Sequence, residues 1–221
     1  LLRIYEAVKN IVQNYGNMFD GHTSVDNIVD EKIVTFDISD IKDLGNVFVA
    51  QMFNLVSLCW DNAINSGQNM KDLWESGNLD IKEITNFLIL IDESHRWVNT
   101  SMPMILDLLI KYLREARKYF AGIVFASQSV RDYMPEGSMQ HVDKIKTLFE
   151  LTQYKFMFRQ DSSTLGLLSD VFKSSLTFSQ IEQIPYLDIG ETILSIAGDR
   201  SLKFSVWLSR EYEEKLFAGG R

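Results

Sequence analysis

The chain has 221 residues, of which 46% are hydrophobic and 24% are charged, and a formal net charge of −8. These values are typical of a soluble globular protein, and the length allows one large domain, 1–221, with a full core. The acidic excess argues against strong nonspecific binding of nucleic acid by this chain alone. The single cysteine excludes an internal disulfide, and the three histidines lack the spacing of metal ligands.

The first 80 residues alternate between helical and strand-like patterns, as an α/β fold requires. Residues 1–15 predict a helix, 20–30 a polar loop and 32–38 a strand. A helix with a wide apolar face and a narrow polar stripe follows over 44–60, and the stripe favours packing inside the protein over insertion in a membrane. The stretch 67–80, which contains several Gly and Asn residues, predicts a flexible loop.

A strand that ends in two carboxylates is the most informative feature of the sequence. Five large apolar residues, Phe87 to Ile91, are followed directly by Asp92 and Glu93. An apolar run of this length is typical of a strand buried on both faces of a parallel sheet, and open α/β sheets bind ligands at the carboxyl ends of their strands. The pattern is that of the Walker B motif of P-loop ATPases, although it also occurs by chance.

In that interpretation, Asp92 holds the Mg²⁺ of bound ATP, usually through water, and Glu93 polarises the attacking water. The partner motif Gly-x-x-x-x-Gly-Lys-Ser/Thr, which cradles the phosphates, does not occur in the sequence. We therefore expect the chain to be the second part of a nucleotide-binding domain, with the Walker A portion absent. We also expect it to bind ATP very weakly and to be inactive by itself.

Further polar side chains accompany the next predicted strand. The apolar period of Met102, Ile105, Leu106, Leu109 and Leu113 predicts a helix with Pro103 in its first turn, and this helix ends in the basic cluster Arg114, Arg117 and Lys118. A buried strand over 121–126 is followed by Gln128. Gln128 could contact the attacking water or the γ-phosphate, and an arginine beside this strand could reach a nucleotide on a neighbouring subunit. The simpler alternatives are that the basic residues complement a helix dipole and that Gln128 lies near a helix start.

The last third of the chain predicts one more strand over 151–158 and a helix start at 176–181, where a capping box coincides with a hydrophobic staple. The segments 191–197 and 202–208 predict an antiparallel hairpin at a sheet edge, and 210–217 a short charged helix. The order of elements therefore predicts an α/β fold with a mostly parallel sheet, flanking helices and an antiparallel edge hairpin near the C-terminus.

This ordered set of motifs resembles the C-terminal ATPase domain of the large type IV secretion and conjugation ATPases, the CagE/TrbE/VirB class of the HerA/FtsK superfamily. The resemblance covers almost the whole chain. The motifs that carry it are Tyr15-Gly16-x-x-Phe19-x-Gly21, the strand 33–38, Leu90-Ile91-Asp92-Glu93 with Trp97, Arg117-Lys118, Ala126-Ser127-Gln128, Gly190-Glu191-Thr192-Ile193-Leu194, Gly198-Asp199-Arg200 and Ser209-x-x-Tyr212-Glu213-x-x-Leu216-Phe217. Ser94-His95 departs from the small residues that are commoner after the acidic pair.

The resemblance implies a RecA-like P-loop NTPase core that uses ATP and Mg²⁺. It implies that Glu93, Gln128 and an arginine finger take part in catalysis, with Arg117 as the finger and Arg114 as the alternative. Asp92 would hold the metal through water, and Arg200 would be a second arginine that senses the nucleotide.

The resemblance also implies the setting in which the parent protein works. It would energise pilus assembly or the transfer of DNA–protein substrates as a ring, expected to be a hexamer, with membrane components of a type IV secretion or conjugation system as partners. It would lie at the cytoplasmic face of a bacterial plasma membrane without inserting into it.

Two alternatives stay open from the sequence. A related DNA translocase or coupling ATPase would share the chemistry and differ in its cargo, which would be DNA. A non-catalytic docking module of the secretion apparatus would use the acidic surface and the wide apolar faces for assembly, and its ATPase residues would be vestigial.

Overall fold

The computed structural model of the protein describes residues 2–19, 31–135, 140–172, 174–198, 200–207, 213 and 215. The predicted loop 20–30 and most of the predicted helix 210–217 lie outside them.

The chain divides into two compact units, the first Leu1–Ile89 with Ala116–Gly122 and the second Leu90–Glu115 with Ile123–Arg221. The α-helices are α1 (Leu2–Phe19), α2 (Asn46–Glu75), α3 (Pro103–Glu115), α4 (Val142–Leu151), α5 (Leu165–Phe172) and α6 (Phe178–Gln183). The strands are β1 (Phe87–Ile91), β2 (Ala121–Phe125), β3 (Tyr154–Met157), β4 (Glu191–Ile196) and β5 (Arg200–Ser205).

Helix α2 of the first unit continues through residues that were predicted to form a loop. It extends to Glu75, so the predicted flexible loop 67–80 is wrong over most of its length. Gly67 is buried against the 3-10 helix Ala116–Tyr119, and a Cβ built on it would lie 2.2 Å from the carbonyl oxygen of Tyr119. This glycine therefore permits a close contact and does not interrupt the helix.

Helix α2 is long and apolar enough to span a bilayer. Core helices of soluble proteins meet the same criteria of length and composition.

The predicted strand 32–38 is wrong. Residues 33–38 form neither a helix nor a strand in the described part of the chain, and Ile33 is 86% exposed. A strand needs a hydrogen-bonded neighbour, so an alternating apolar pattern is not sufficient to form one.

Strands β1 and β2 form a two-stranded parallel sheet. The pairing continues past the strand ends, where the Ala126 N–H donates to the Ile91 carbonyl over 2.9 Å. The prediction that β1 is buried on both faces is wrong for the described residues, because Leu88 and Leu90 are 58% and 71% exposed. A strand is buried on both faces only where further layers cover both sides of the sheet, and the described residues cover one side.

Helix α3 forms the centre of the second unit. It has Pro103 in its first turn, as predicted, and Ile105, Leu106 and Leu109 of the predicted apolar face are fully buried. Helix α4 packs on α3, and the Lys144 ammonium of α4 lies 2.6 Å from a carboxylate oxygen of an α3 aspartate. The 3.6-residue apolar period therefore identified the buried face of this helix correctly.

The predicted start of α6 is confirmed. Thr177 Oγ1 accepts a hydrogen bond from the Gln180 N–H, and Gln180 Oε1 accepts one from the Thr177 N–H, which is a complete capping box. Leu176 and Ile181, the two members of the hydrophobic staple, are 6% and 3% exposed. The helix start is therefore fixed by contacts among neighbouring residues.

Strands β3, β4 and β5 form an antiparallel sheet in that order. Leu194 of β4 pairs with Phe156 on one side and with Leu202 on the other, so the predicted edge hairpin is confirmed and β3 extends it by one strand. One face is buried, with Lys155 at 8% exposure, whereas Tyr154 on the opposite face is 61% exposed.

The predicted α/β fold is confirmed as a whole. Helices α3 to α6 and the antiparallel C-terminal sheet belong to the second unit, α1 and α2 belong to the first, and β1 and β2 each have residues in both. Because β1 and β2 are parallel neighbours, the loops that follow them emerge at the same edge of their sheet.

Candidate active site

The loop after β1 turns sharply at the two acidic residues. Glu93 adopts the left-handed conformation, with φ 46° and ψ 40°, which is uncommon for a residue with a side chain and costs about 1–3 kcal/mol. The Glu93 N–H donates to Asp92 Oδ1 over 2.9 Å, and the 3-10 helix Ser94–Arg96 follows. The turn leaves Asp92 exposed and Glu93 half-buried, so both carboxylates are accessible at the end of the strand.

Gln128 contacts Glu93 directly. Its Nε2 donates to Glu93 Oε1 over 2.9 Å. The two loops are joined by their backbones, because the Ser94 N–H donates to the Ala126 carbonyl over 2.9 Å. The structure therefore brings together the acidic pair and the glutamine that the sequence placed after successive strands. The catalytic roles assigned to them stay predictions.

His95 also lies against Glu93, a contact that the sequence analysis missed. The distance from His95 Nδ1 to Glu93 Oε2 is 3.6 Å, and that from Nδ1 to Ser127 Oγ is 3.1 Å. Ser127 also donates to the Ser129 carbonyl over 3.3 Å. The sequence did contain a local signal for this contact, because His95 follows the acidic pair closely and Ser127 directly precedes Gln128.

Buried hydrogen bonds anchor the turn from beneath. Ser94 is fully buried, and its Oγ donates to the Ala126 carbonyl over 2.9 Å and shares a 2.7 Å hydrogen bond with the Tyr133 hydroxyl. Burial raises the pKa of Tyr133, although hydrogen bonds with Ser94 and Ser127 oppose this effect. The phenol therefore stays neutral at physiological pH. Its ring packs edge-on against Phe149 at a centroid distance of 5.1 Å.

The loop after β3 reaches the same region. Gln160 Nε2 donates to the backbone carbonyl of Gln128 over 2.9 Å, which the sequence analysis did not foresee. Hydrogen bonds from Ser163 lower the pKa of Asp161, so this carboxylate is charged at neutral pH. An open depression of about 550 Å³ is lined by Arg159, Gln160, Asp161, Ser162, Pro185 and Tyr186.

Comparison with known proteins gives one relative and several similar structures. No family model matches the chain. An uncharacterized protein of Bacillus anthracis is 38% identical over 193 residues, which cover 86% of this chain and 30% of that protein. The structure of VirB4 of Thermoanaerobacter pseudethanolicus matches 80% of this chain and 42% of its own, with a TM-score of 0.57 and 20% identity. The chain has the VirB4 fold.

The resemblance to the VirB class that the sequence predicted is therefore confirmed in the fold. The chain spans less than half of both the Bacillus anthracis protein and the VirB4 structure. The genome packaging NTPase B204 from Sulfolobus turreted icosahedral virus 2 also matches, with a TM-score of 0.41 and 16% identity, over 64% of this chain and 62% of its own.

The VirB4-like fold leaves the three predicted arginines on the surface. Arg114 lies in the last turn of α3, Arg117 in the 3-10 helix Ala116–Tyr119 and Arg200 at the start of β5, and all three are exposed. In the part of the second unit that the structure describes, neither Arg114 nor Arg200 contacts the acidic pair. Their roles towards a nucleotide stay predictions.

Asp92 suits a magnesium ion that is held through water. Mg²⁺ in nucleotide sites keeps several waters and takes only one or two carboxylates. Asp92 offers an exposed carboxylate directly after a parallel strand. Among the residues that the structure describes, no group of three or more His, Cys, Asp or Glu could enclose a metal. The side chains present therefore fit a water-mediated ion better than an all-protein metal site.

Proposed function

We propose that this chain is the C-terminal part of a RecA-like motor domain, and that the complete protein hydrolyses ATP to energise type IV secretion or conjugative transfer. The observation that carries the proposal is the hydrogen bond from Gln128 to Glu93, beside Asp92, at the paired ends of two parallel strands. A carboxylate and an amide in this arrangement suit the activation of water for phosphoryl transfer. The VirB4 fold and the ordered motifs support a secretion motor.

Each side chain has a defined task in the proposed reaction. Glu93 polarises the water that attacks the γ-phosphoryl group. Gln128 already donates to Glu93, so it would redirect its amide towards that water or the phosphate when nucleotide binds. Asp92 would hold Mg²⁺ through water, and the ion would supply neutralising charge to the phosphate oxygens.

The proposal requires that another segment of a longer protein supplies the phosphate-binding loop. The sequence contains no such motif, and β2 has only β1 as a neighbour among the described strands. Leu88, Leu90 and Val124 are 58%, 71% and 47% exposed, so an apolar face of the β1–β2 sheet is available for further elements to cover. We expect this chain alone to lack ATPase activity for these reasons.

We further propose that the complete protein forms a ring, expected to be a hexamer, at the cytoplasmic face of a bacterial membrane. Arg117, or alternatively Arg114, would contact the nucleotide of the neighbouring subunit, and Arg200 would sense a nucleotide as well. The exposure of these arginines supports the proposal, since a finger acting between subunits must be accessible. Membrane components of a type IV secretion or conjugation system would be its partners.

Two other functions differ from this proposal in cargo or in chemistry. A DNA translocase would show hydrolysis that DNA stimulates, and the motor fold supports it equally. A docking module is favoured by the exposed apolar face of the antiparallel sheet, where Tyr154, Phe156 and Leu202 are 61%, 53% and 50% exposed. Normal substrate transfer by a protein that cannot hydrolyse ATP would identify the docking module.

The substitution Glu93→Gln in the complete protein tests the proposed function. It removes the carboxylate that polarises water and keeps the shape of the side chain, so we expect turnover to fall by about 10² to 10⁴ while ATP binding persists. Glu182→Gln on the exposed surface of α6 is the matched control and should leave turnover unchanged. Steady-state hydrolysis and calorimetric ATP titration measure the two quantities. Near-normal turnover in Glu93→Gln would exclude Glu93 as the catalytic base.

A further inference from the structure

The carboxylate of Glu93 is held from two sides. Gln128 Nε2 contacts Oε1 at 2.9 Å, and His95 Nδ1 faces Oε2 at 3.6 Å. We propose that His95 is a positioning residue for Glu93 and that Ser127 fixes the orientation of its ring. This inference rests on the proposed ATPase function and assigns a further residue to the same site.

The backbone of His95 is held in place independently of its ring. The residue lies in the 3-10 helix Ser94–Arg96, and its carbonyl accepts a hydrogen bond from Asn99 Nδ2 over 2.8 Å. Asn99 is itself 8% exposed. The ring therefore extends from a fixed point, and its direction depends on the side chains around it.

Ser127 determines that direction. Its Oγ lies 3.1 Å from His95 Nδ1, the same nitrogen that faces Glu93. Ser127 Oγ also donates to the Ser129 carbonyl over 3.3 Å. The carbonyl of the preceding residue, Ala126, accepts hydrogen bonds from the N–H and the hydroxyl of the buried Ser94. The imidazole is thus connected to a buried, rigid part of the turn through one hydroxyl group.

Glu93 needs such support because its position leaves it free to move. Its side chain is 34% exposed, and it extends from a left-handed backbone at the end of a strand. A glutamate has three rotatable side-chain bonds, and a catalytic carboxylate must be held close to its productive geometry. If Gln128 turns to a bound phosphate, His95 is the remaining side chain that the structure places against the carboxylate.

The contact distance of 3.6 Å defines how His95 acts. It exceeds hydrogen-bond range, so the contact is an ion pair when the ring is protonated and a steric boundary when the ring is neutral. In both states it is the Nδ1 side of the ring that meets Glu93. A side chain with a nitrogen at the Nδ1 position should therefore replace histidine better than one with a nitrogen at the Nε2 position.

Substitutions in the complete protein test this assignment. Asparagine places its amide nitrogen near the Nδ1 position, whereas glutamine places it near Nε2. We expect His95→Ala to lower kcat for ATP by about 10- to 100-fold, with KM changed less than about threefold. His95→Asn should recover most of that loss and His95→Gln little of it.

Ser127→Ala completes the test as a double-mutant cycle. If Ser127 acts by orienting the ring, Ser127→Ala should lower kcat in the wild-type background and have no further effect in His95→Ala. Additive losses, equal rescue by asparagine and glutamine, or a normal kcat in His95→Ala would each overturn the proposal. If His95→Ala does not fold, the comparison of the asparagine and glutamine variants, together with Ser127→Ala, decides the question.

The outcomes separate this inference from the proposed function. Absence of ATP hydrolysis by the wild-type protein would refute the proposed function. Wild-type hydrolysis that Glu93→Gln abolishes, combined with a normal His95→Ala, would uphold the function and refute only the role of His95.

Discussion

At Glu93 the polypeptide adopts a strained backbone conformation that local contacts support. The left-handed turn is held by the hydrogen bond of its N–H to Asp92 and by the buried anchor of Ser94 on the Ala126 carbonyl. Non-glycine residues keep this conformation only where their surroundings over-determine it, and such positions concentrate at functional sites. The strain therefore agrees with a site in which one carboxylate must point in a fixed direction.

A second residue-scale feature is the buried lysine of β3. Lys155 is 8% exposed and its ammonium donates to the Thr152 carbonyl over 2.7 Å. Burial lowers its pKa, and the nearby Glu150 opposes the effect. Because the folded-state pKa lies below the unfolded one, the unfolded state binds more protons between the two values, and stability rises with pH through that window.

Lys155→Met should consequently stabilise the chain at neutral pH by roughly 1 kcal/mol, because it removes the cost of burying the charge. It should also flatten the rise in stability that ends near pH 10, where an unperturbed lysine titrates. Urea unfolding at several pH values measures both effects. Lys111→Met, at an exposed position of α3, is the control and should change neither. A loss of stability in Lys155→Met at neutral pH would contradict the argument.

At the scale of elements, α2 shows how a glycine can be misinterpreted. Gly67 belongs to the stretch that the sequence predicts to be a flexible loop, but it is buried inside α2, in contact with the backbone of Tyr119. Trp60, near the middle of the same helix, packs edge-on against the Tyr119 ring at a centroid distance of 6.4 Å. The helix therefore depends on a partner that is about 50 residues away in the sequence, a contact that a local pattern does not contain.

Gly67→Ala should destabilise the chain by about 1–3 kcal/mol, because the new Cβ would lie within 2.2 Å of a backbone oxygen that cannot move easily. Gly166→Ala on α5 is the matched control. No atom lies within 4 Å of its ideal Cβ, so the substitution should be neutral or stabilise by up to about 1 kcal/mol. Chemical denaturation measures both. Equal effects of the two substitutions would show that the contact with Tyr119 is unimportant.

At the scale of the whole molecule, both sheets have an exposed apolar surface in the described chain. One is the face of β1 and β2 with Leu88, Leu90 and Val124, and the other is the face of β3 with Tyr154 and Phe156. Exposed apolar area of this kind usually marks a surface that another element or protein covers. In the proposed complete protein, the phosphate-binding segment and the neighbouring subunits are the candidates.

The substitution Arg117→Ala tests whether neighbouring subunits of the proposed ring complete each other's sites. If Arg117 acts between subunits, Arg117→Ala should leave ATP binding nearly intact and lower turnover of the complete protein by about 10³ to 10⁵. Mixing this variant with Glu93→Gln should restore some activity, because an intact Glu93 can then face an intact Arg117 of a neighbour. Hydrolysis assays of mixed, verified assemblies measure the effect.

Lys118→Ala, the exposed basic neighbour of Arg117, provides the control and should retain near-normal turnover. If Arg117 only complements a helix dipole, its loss should cost about 1 kcal/mol of stability with little kinetic effect. Retained turnover in Arg117→Ala would exclude the role between subunits, and failure of mixed assemblies to regain activity would count against it.

The sequence by itself determined the features that arise from neighbouring residues. The capping box of Thr177 and Gln180, the buried face of α3 and the acidic end of β1 each depend on residues within a few positions, where periodicity and side-chain chemistry act directly. The order of these elements was sufficient to predict the α/β fold.

Only the tertiary structure decided which residues meet. Gln128 and Glu93 are 35 positions apart, His95 and Ser127 are 32 apart, and Gln160 and Gln128 are also 32 apart. Such contacts depend on strand pairing and on the left-handed turn, which no local pattern encodes. For the same reason residues 33–38 have a strand-like sequence without forming a strand, because a strand exists only where a neighbour completes its hydrogen bonds.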